Sequence, residues 1–293
     1  MNGGFRTSTH PTLAIETTDR PDHDETIRFS IQEKPNTNEN NIRGLSFSSK
    51  NSNLEFTFPR GARAGSFMHA LFENLDFKTP ESQLPDFIKA QLQNFGYAEK
   101  WQNAITTLVK QVLTTSLEPQ QDLTLSALTF DKRLNELEFY YPLSHITPSG
   151  LLAVFAKFGH QNITHFTEEM NRLTFYPVRG FMKGYIDMVF EYKGRYYLVD
   201  YKSNMLGIHQ ENYHHTHLNG EMARAGYILQ YHIYVVALHR YLSTRLPDYR
   251  YEEHFGGVYY LFLRGMNSDW GANYGIYRDK PREELIKELS AYF

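Results

Sequence analysis

The chain has 293 residues, of which 41% are hydrophobic and 22% are charged. This is the composition of a folded globular protein, and the length suits one large domain or two small ones. The net charge of -3 excludes a polybasic coat that holds nucleic acid by bulk charge, although a local basic groove is compatible with it. The absence of cysteine excludes disulfide scaffolds, thiolate zinc sites and cysteine nucleophiles.

The beginning of the sequence differs from the remainder. Residues 1–50 contain three aromatic residues and are otherwise mostly polar or charged. Such a segment buries too little apolar surface to compensate for its ordering entropy. We therefore predict a polar linker or arm, largely disordered, at 1–45 and a folded domain at 46–293. The sequence contains neither a signal-peptide core nor an apolar run of membrane-spanning length, so we expect a cytoplasmic protein that does not associate with membranes.

Hydrophobic spacing predicts helices and strands from residue 65 onward. Ser66 is a suitable N-cap for a first helix, and Gly96 separates two further helices within 84–115. The alternating residues Leu134–Leu143 predict a half-buried strand. The remaining predicted elements are a helix from Ser149 to Phe158, strands at Gly184–Tyr192 and Arg195–Lys202, a polar loop at Ser203–Asn219, a helix at Glu221–Leu246, a strand at Gly256–Arg264 and a helix at Arg282–Phe293. This order predicts a mixed α/β or α+β core.

The dipeptide Lys193-Gly194 has the length of a two-residue hairpin turn between two predicted strands. Such a turn pairs Tyr192 with Arg195, and the same register places Asp187 opposite Asp200 with Cβ atoms about 5 Å apart. Two carboxylates at that spacing repel by roughly 3 kcal/mol at an effective dielectric constant near 20. A protein that builds such a pair shares a proton across it or binds a divalent cation between the oxygens. A three-residue turn would shift the register and separate the pair.

Lys202 follows Asp200 by two residues and therefore points to the same face of the strand. A divalent cation held by two carboxylates beside a lysine is suited to phosphodiester hydrolysis. The alternative interpretation is an ordinary ion-pair network, in which Asp200 pairs with Lys202 or Asp187 with Arg195. The isolated Asp-x-Lys pattern favours that alternative, whereas the spacing of the whole hairpin is much less common.

The combined pattern Gly184-Tyr-Ile-Asp187 and Asp200-Tyr-Lys202 resembles the signature of the RecB family, a branch of the PD-(D/E)xK nuclease superfamily. Three further motifs match this family in the same order along the chain. They are Gly65-x3-His69, the strand motif Glu136-Leu-Glu138-Phe139 and Gln230-x3-Tyr234. The resemblance covers about residues 45–290. Ile186 stands where the superfamily has its proline, which is usual for this branch.

The resemblance implies an α/β fold with a restriction-endonuclease-like mixed sheet core and flanking helices. It also implies that His69, Asp187, Asp200 and the backbone carbonyl of Tyr201 bind a catalytic metal, while Lys202 assists the attacking water. The implied cofactor is Mg²⁺, and we expect Ca²⁺ or Mn²⁺ to substitute for it in the site.

The family glutamate is either Glu136 or Glu138, which the alternation places on one strand face. The spacing to the following phenylalanine favours Glu136. Gln230 and Tyr234 share a helix face, and the resemblance implies that they contact DNA or support the lysine. Taken alone, these two residues and His69 would more often be ordinary packed side chains.

The resemblance implies a Mg²⁺-dependent DNA nuclease, exonuclease or endonuclease, that acts on single-stranded DNA in double-strand-break repair and recombination. It implies RecC- and RecD-like partner subunits and a link to the RecA recombinase. No Gly-x4-Gly-Lys-Ser/Thr motif occurs, so we expect this chain to lack the helicase motor. The alternatives are a regulatory or docking module with little activity of its own, and a metal-dependent hydrolase with another substrate. The intact Asp187, Asp200 and Lys202 argue against an inactive module.

Two weaker signals concern histidines and tyrosines. Four histidines fall in the predicted loop after Lys202: His209, His214, His215 and His217. Zinc binding is one interpretation, but the loop lacks caging strands and a carboxylate at fixed spacing, which favours a solvated loop able to contact DNA. Strand tyrosines can stack on bases, although they more often pack in a core. These tyrosines are Tyr140, Tyr141, Tyr196, Tyr197, Tyr259 and Tyr260.

Overall fold

The computed structural model describes residues 57–120, 122–158 and 178–293. The predicted arm at 1–45 lies outside these ranges, and the domain boundary at residue 46 stays a prediction. In the described ranges, a five-stranded sheet lies between two layers of helices. The predicted α/β fold, a mixed restriction-endonuclease-like sheet with flanking helices, is confirmed.

Helices cover both faces of the sheet. Their bounds are α1 (Ala62–Asn74), α2 (Leu84–Asn94), α3 (Gln102–Thr114), α4 (Pro148–Phe158), α5 (His215–Arg224), α6 (Tyr227–Arg245), α7 (Tyr251–His254) and α8 (Glu283–Tyr292). Helices α1–α3 share one buried apolar cluster with the sheet, and α4–α8 share the other. None of the described helices combines the length and the apolar character needed to cross a membrane.

The sheet has the strand order β1-β2-β3-β4-β5. The strands are β1 (Arg133–Ile146), β2 (Val178–Tyr192), β3 (Arg195–Lys202), β4 (Phe255–Phe262) and β5 (Ile276–Asp279). Strands β3 and β4 run parallel, whereas the other neighbours run antiparallel. A parallel pair needs a crossover connection, and α5 and α6 supply it between β3 and β4.

The predicted hairpin register is confirmed. Lys193 and Gly194 have φ angles of 50° and 76°, as a two-residue turn with two left-handed positions requires. Tyr192 pairs with Arg195, and the pairing continues to Met188 opposite Val199. It ends there, one position before the two aspartates. Strands β2 and β3 therefore separate at the point where the predicted carboxylates begin.

In strands β1 and β2, the regular alternation of side chains between the two faces of the sheet is interrupted at Glu136 and Asp187. The pairs on either side, Asn135 with Met188 and Leu137 with Ile186, align these two residues, and Glu136 has a left-handed φ of 50°. Met188 packs in the cluster of α1–α3, whereas Ile186, two residues earlier, packs in the cluster of the opposite face. Regular alternation would put both on one face. This interruption brings side chains from the helices on both faces of the sheet to one edge of the β2–β3 pair.

Two predicted helix boundaries are wrong. Helix α1 begins at Ala62, so Ser66 lies inside the helix and is not its N-cap. The predicted helix 221–246 is two helices, α5 and α6, because Gly226 adopts a left-handed φ of 73° between them. Helix α5 consequently begins within the predicted polar loop, at His215.

Candidate active site

The predicted site residues meet at the carboxyl end of β3. Asp200, Tyr201 and Lys202 are its last three residues, and β2 and β4 flank them in the sheet. Apolar and aromatic residues fill both faces of these strands, so the polar side chains between them are removed from water. Asp187, Asp200 and Lys202 are at most 5% exposed. Buried charges of this kind are retained only with compensating partners.

Asp187 connects β2 to helix α1 and to β3. Its Oδ2 lies 3.2 Å from Nδ1 of His69, a buried residue of α1. The same oxygen accepts a hydrogen bond of 2.7 Å from the backbone N–H of Tyr201. Phe72 of α1 stacks on the Tyr201 ring at 5.1 Å between centroids, which fixes α1 against the strand. The hydrogen bond from Tyr201 therefore replaces the ladder pairing that β2 and β3 lose at this point.

Lys202 is held by a carboxylate, an amide and an aromatic ring. Its Nζ lies 2.8 Å from Oδ2 of Asp200 and 3.4 Å from Oε1 of Gln230. The ammonium also lies 4.1 Å from the centre of the Tyr227 ring, a cation–π distance. These contacts give the buried ammonium a fixed position beside Asp200.

Gln230 is itself oriented by two tyrosines. Its Oε1 accepts a hydrogen bond of 2.9 Å from the hydroxyl of Tyr260, and its Nε2 donates to the hydroxyl of Tyr234 at 3.1 Å. The amide oxygen is thereby directed toward Lys202. Sequence reasoning missed the contributions of Tyr227 and Tyr260. The signal for Tyr260 is its position opposite Asp200 in the parallel β3–β4 pair, which only the tertiary fold shows.

The pKa values of Asp200 and His69 are both shifted upward in this buried cluster, by burial and by the neighbouring charges. Burial, augmented by the Asp187 carboxylate, raises the pKa of Asp200 to about 7 in spite of the Lys202 ammonium. Burial opposes the charged form of His69, but the carboxylates of Asp187 and Asp200 outweigh it and raise the pKa of this imidazole above its ordinary value. A cation bound between the two carboxylates would favour their charged forms.

The donor set of His69, Asp187 and Asp200 fits a divalent cation, because carboxylate and imidazole are common ligands of such ions. Oδ2 of buried Asp200 has no hydrogen bond of regular geometry, although Lys202 lies nearby. However, within 57–120, 122–158 and 178–293 no three His, Asp or Glu side chains are gathered closely enough to hold an ion. Metal binding therefore requires these side chains to turn from their present ion-pair partners toward one point.

The two candidate glutamates have different surroundings. Glu136 is partly buried and lies opposite Asp187 in the β1–β2 register. Glu138 is exposed, and its Oε1 lies 3.0 Å from Nζ of Lys183. The hydrogen bond from Lys183 is the main reason why the pKa of Glu138 lies below its ordinary value. The neighbouring pairs, Asn135 with Met188 and Leu137 with Ile186, align Glu136 rather than Glu138 with Asp187.

The histidines after Lys202 are exposed or partly buried, as predicted, but His215 and His217 belong to α5 rather than to a loop. His214 precedes α5, and its ring centroid lies 4.3 Å from that of His215. Nδ1 of His214 lies 2.9 Å from the hydroxyl of Thr216. Nδ1 of His217 lies 2.5 Å from the carbonyl oxygen of Glu211. These contacts hold the turn into α5.

Comparison with known proteins agrees with the motifs. No protein-family model matches the chain. The RecBCD enzyme subunit RecB of Escherichia coli strain K12 is 40% identical over 237 residues, which are 80% of this chain and 19% of that protein. The chain belongs to the RecB family. RecB of Haemophilus influenzae is 35% identical over 260 residues, 88% of this chain and 19% of that protein. RecB of Mycobacterium tuberculosis strain H37Rv is 33% identical over 261 residues, 79% of this chain and 24% of that protein.

The match to RecB is partial in length. The chain spans about one fifth of the curated RecB proteins it matches in E. coli and H. influenzae. The family resemblance drawn from the motifs is therefore confirmed, and it concerns one portion of RecB.

Proposed function

We propose that the chain is a Mg²⁺-dependent DNA nuclease, a phosphodiester hydrolase of the exonuclease V type that cuts the ends and strands of single-stranded DNA. The observation that carries this proposal is the buried cluster at the end of β3, where two carboxylates and a histidine lie beside a fixed lysine. Such a cluster has the ligands for a divalent cation and a separate positive charge for the phosphate. Membership of the RecB family supports the same proposal.

In this proposal His69, Asp187, Asp200 and the backbone carbonyl of Tyr201 bind the cation. The chemistry that Mg²⁺ supplies when bound is polarisation of the scissile phosphate and a lower pKa for water. Glu136 is the further acidic member of the site, because it lies opposite Asp187. The protein contributes by holding these groups in fixed, buried positions at the junction of three strands and one helix.

Lys202 acts on the phosphate. In the described arrangement its ammonium is paired with Asp200. A cation at Asp200 would take over that carboxylate, which leaves the ammonium to orient the attacking water and to stabilise the negative charge that develops on the phosphate oxygens. Gln230, directed by Tyr234, keeps the ammonium in place during this exchange.

The proposed setting is a RecBCD-type complex for double-strand-break repair and recombination. The matching relatives are named as subunits of the RecBCD enzyme, which supports RecC- and RecD-like proteins as partners of this chain. The association with RecA is proposed on the family resemblance alone. Co-purification of the chain with each of these proteins, one at a time, tests the proposed partners.

Cleavage is tested with the purified chain and end-labelled linear or unlabelled circular single-stranded DNA, each with Mg²⁺ or with EDTA. The expected result is Mg²⁺-dependent release of short products from the linear DNA. Conversion of the circle to fragments would add endonuclease activity. Binding without cleavage would instead indicate the docking module, and neither binding nor cleavage would indicate a hydrolase with another substrate.

A further inference from the structure

Two exposed aromatic side chains stack on each other beyond the candidate active site. Tyr140 of β1 and Phe181 of β2 have ring centroids 4.7 Å apart and planes only 9° from parallel. Their exposed fractions are 61% and 41%. The other strand tyrosines considered for base stacking are buried or partly buried. Two exposed rings stacked in parallel present a flat apolar face on which a further planar group can stack.

The pair lies on a continuous path from the catalytic carboxylates. Residues 187, 185, 183 and 181 occupy every second position of β2, and alternate residues advance by about 6.6 Å along a strand. Phe181 therefore lies about 20 Å from Asp187, and Tyr185 and Lys183 lie between them. A distance of this size corresponds to a few nucleotides of an extended single strand. A strand held at the pair can thus reach the candidate site without leaving this face.

The path carries no uncompensated acidic charge at its centre. Glu138 of β1 is neutralised by Lys183, whose Nζ lies 3.0 Å from its Oε1. The hydroxyl of Tyr185 donates to the same oxygen at 3.3 Å. The phosphates of a bound strand would therefore meet a paired carboxylate rather than an isolated one.

We propose that Tyr140 and Phe181 form a base-stacking platform for single-stranded DNA that approaches the active site along β2. This inference rests on the proposed nuclease function. Parallel rings at stacking distance extend naturally to a base placed on the exposed ring face, because every base has a π-face. The platform therefore binds without sequence preference and positions the strand for cleavage at a distance set by β2.

The test uses the variants Tyr140→Leu, Phe181→Leu and the double variant, which remove the aromatic rings but keep apolar side chains. Phe130→Leu is the matched control, because Phe130 is 65% exposed but precedes β1 and is outside the path. Binding is measured in EDTA by fluorescence anisotropy with a labelled 12-nucleotide oligothymidylate and with an abasic strand of equal length. Circular dichroism and thermal melts establish that each variant is folded, and Tyr140→Phe keeps the ring if a leucine variant does not fold.

We expect the double variant to bind oligothymidylate at least tenfold more weakly than wild type. Binding of the abasic strand should be unchanged, and Phe130→Leu and Tyr140→Phe should bind oligothymidylate like wild type. Unchanged oligothymidylate binding in the double variant would overturn the platform. Equal weakening for both strands would also overturn it, because a phosphate effect is not stacking.

The experiment distinguishes failure of the stacking platform from failure of the proposed nuclease function. If wild type binds oligothymidylate through the two rings but fails to cut it with Mg²⁺, the platform stands and the proposed function fails. If wild type cuts DNA and the leucine variants bind it normally, the nuclease stands and the platform fails.

Discussion

Replacing Asp200 with asparagine should stabilise the protein in the absence of metal at alkaline pH. The pKa of Asp200 is raised from 3.8 to about 7 in the folded state. Because this folded-state pKa lies above the unfolded one, the folded protein binds more protons between about pH 4 and 7. Its stability is therefore greatest below that window and falls as the pH rises through it. Asparagine keeps the shape of the side chain and has no charge to bury.

The magnitude follows from the size of the shift. About three pKa units correspond to about 4 kcal/mol in the free energy of unfolding at pH 8. At pH 5.5 the same linkage gives about 2 kcal/mol. Asp200→Asn should therefore exceed wild type by up to about 4 kcal/mol at pH 8 and by about half of that at pH 5.5. The loss of the Lys202 partner acts in the opposite direction, and the upward direction of the Asp200 pKa is the reason for expecting burial to outweigh this attraction.

The measurement is urea unfolding of wild type and Asp200→Asn in EDTA at both pH values, followed by thermal melts with Ca²⁺. Ca²⁺ at ten to one hundred times its dissociation constant should stabilise wild type by about 1–3 kcal/mol and the variant much less. The variant should cut no DNA. Asp269→Asn is the control at an exposed aspartate, with an expected change below about 0.5 kcal/mol.

One result would refute this reasoning. If Asp200→Asn is less stable than wild type in EDTA at both pH values, and wild type is indifferent to Ca²⁺, Asp200 is a structural partner of Lys202. The buried pair would then be a net stabilising ion pair, and the metal-site assignment would fail.

Three further predictions concern the nuclease proposal. Lys202→Met should lose most cleavage yet keep the Ca²⁺-induced rise in melting temperature, because the ammonium acts on the phosphate. The control variant Lys287→Met, at an exposed lysine of α8, should cut normally. A near wild-type cleavage rate in Lys202→Met would exclude the role assigned to Lys202. Removal of residues 1–45 should leave cleavage unchanged, and a folded truncation that has lost activity would contradict the predicted arm. Glu136→Gln should lower the cleavage rate at least tenfold and Glu138→Gln less than twofold, whereas equal losses would leave the glutamate unassigned.

The parts of the site that could be predicted from sequence are those governed by local rules. A two-residue turn at Lys193-Gly194 determines the hairpin register, and the two-residue period of a strand then determines which side chains share a face. These two rules were enough to bring Asp187, Asp200 and Lys202 to one end of the sheet. The structure agrees on the register as far as Met188 and Val199, and on the proximity of the three residues.

The parts that could not be predicted depend on long-range packing. The apolar spacing continues from α5 into α6, so the left-handed turn at Gly226 is invisible to a periodicity argument. The four-residue strand β5 is too short to show alternation. Tyr260 approaches Lys202 only because β4 lies parallel to β3, and that pairing follows from the crossover through two helices.

The buried side chain of Arg264 bears on when during synthesis the candidate active site can form. Its guanidinium donates to the carbonyl oxygens of Ser203 at 2.9 Å, Phe58 at 3.2 Å and Pro59 at 2.7 Å. It thus connects the end of β3 to the segment that leads into α1, about two hundred residues earlier in the chain. Contacts of such sequence separation form late, because loop closure must precede them. A nascent chain that has already emerged with His69, Asp187 and Asp200 still lacks this connection, so the proposed cutting activity should appear only after β4 and the turn beyond it have been made.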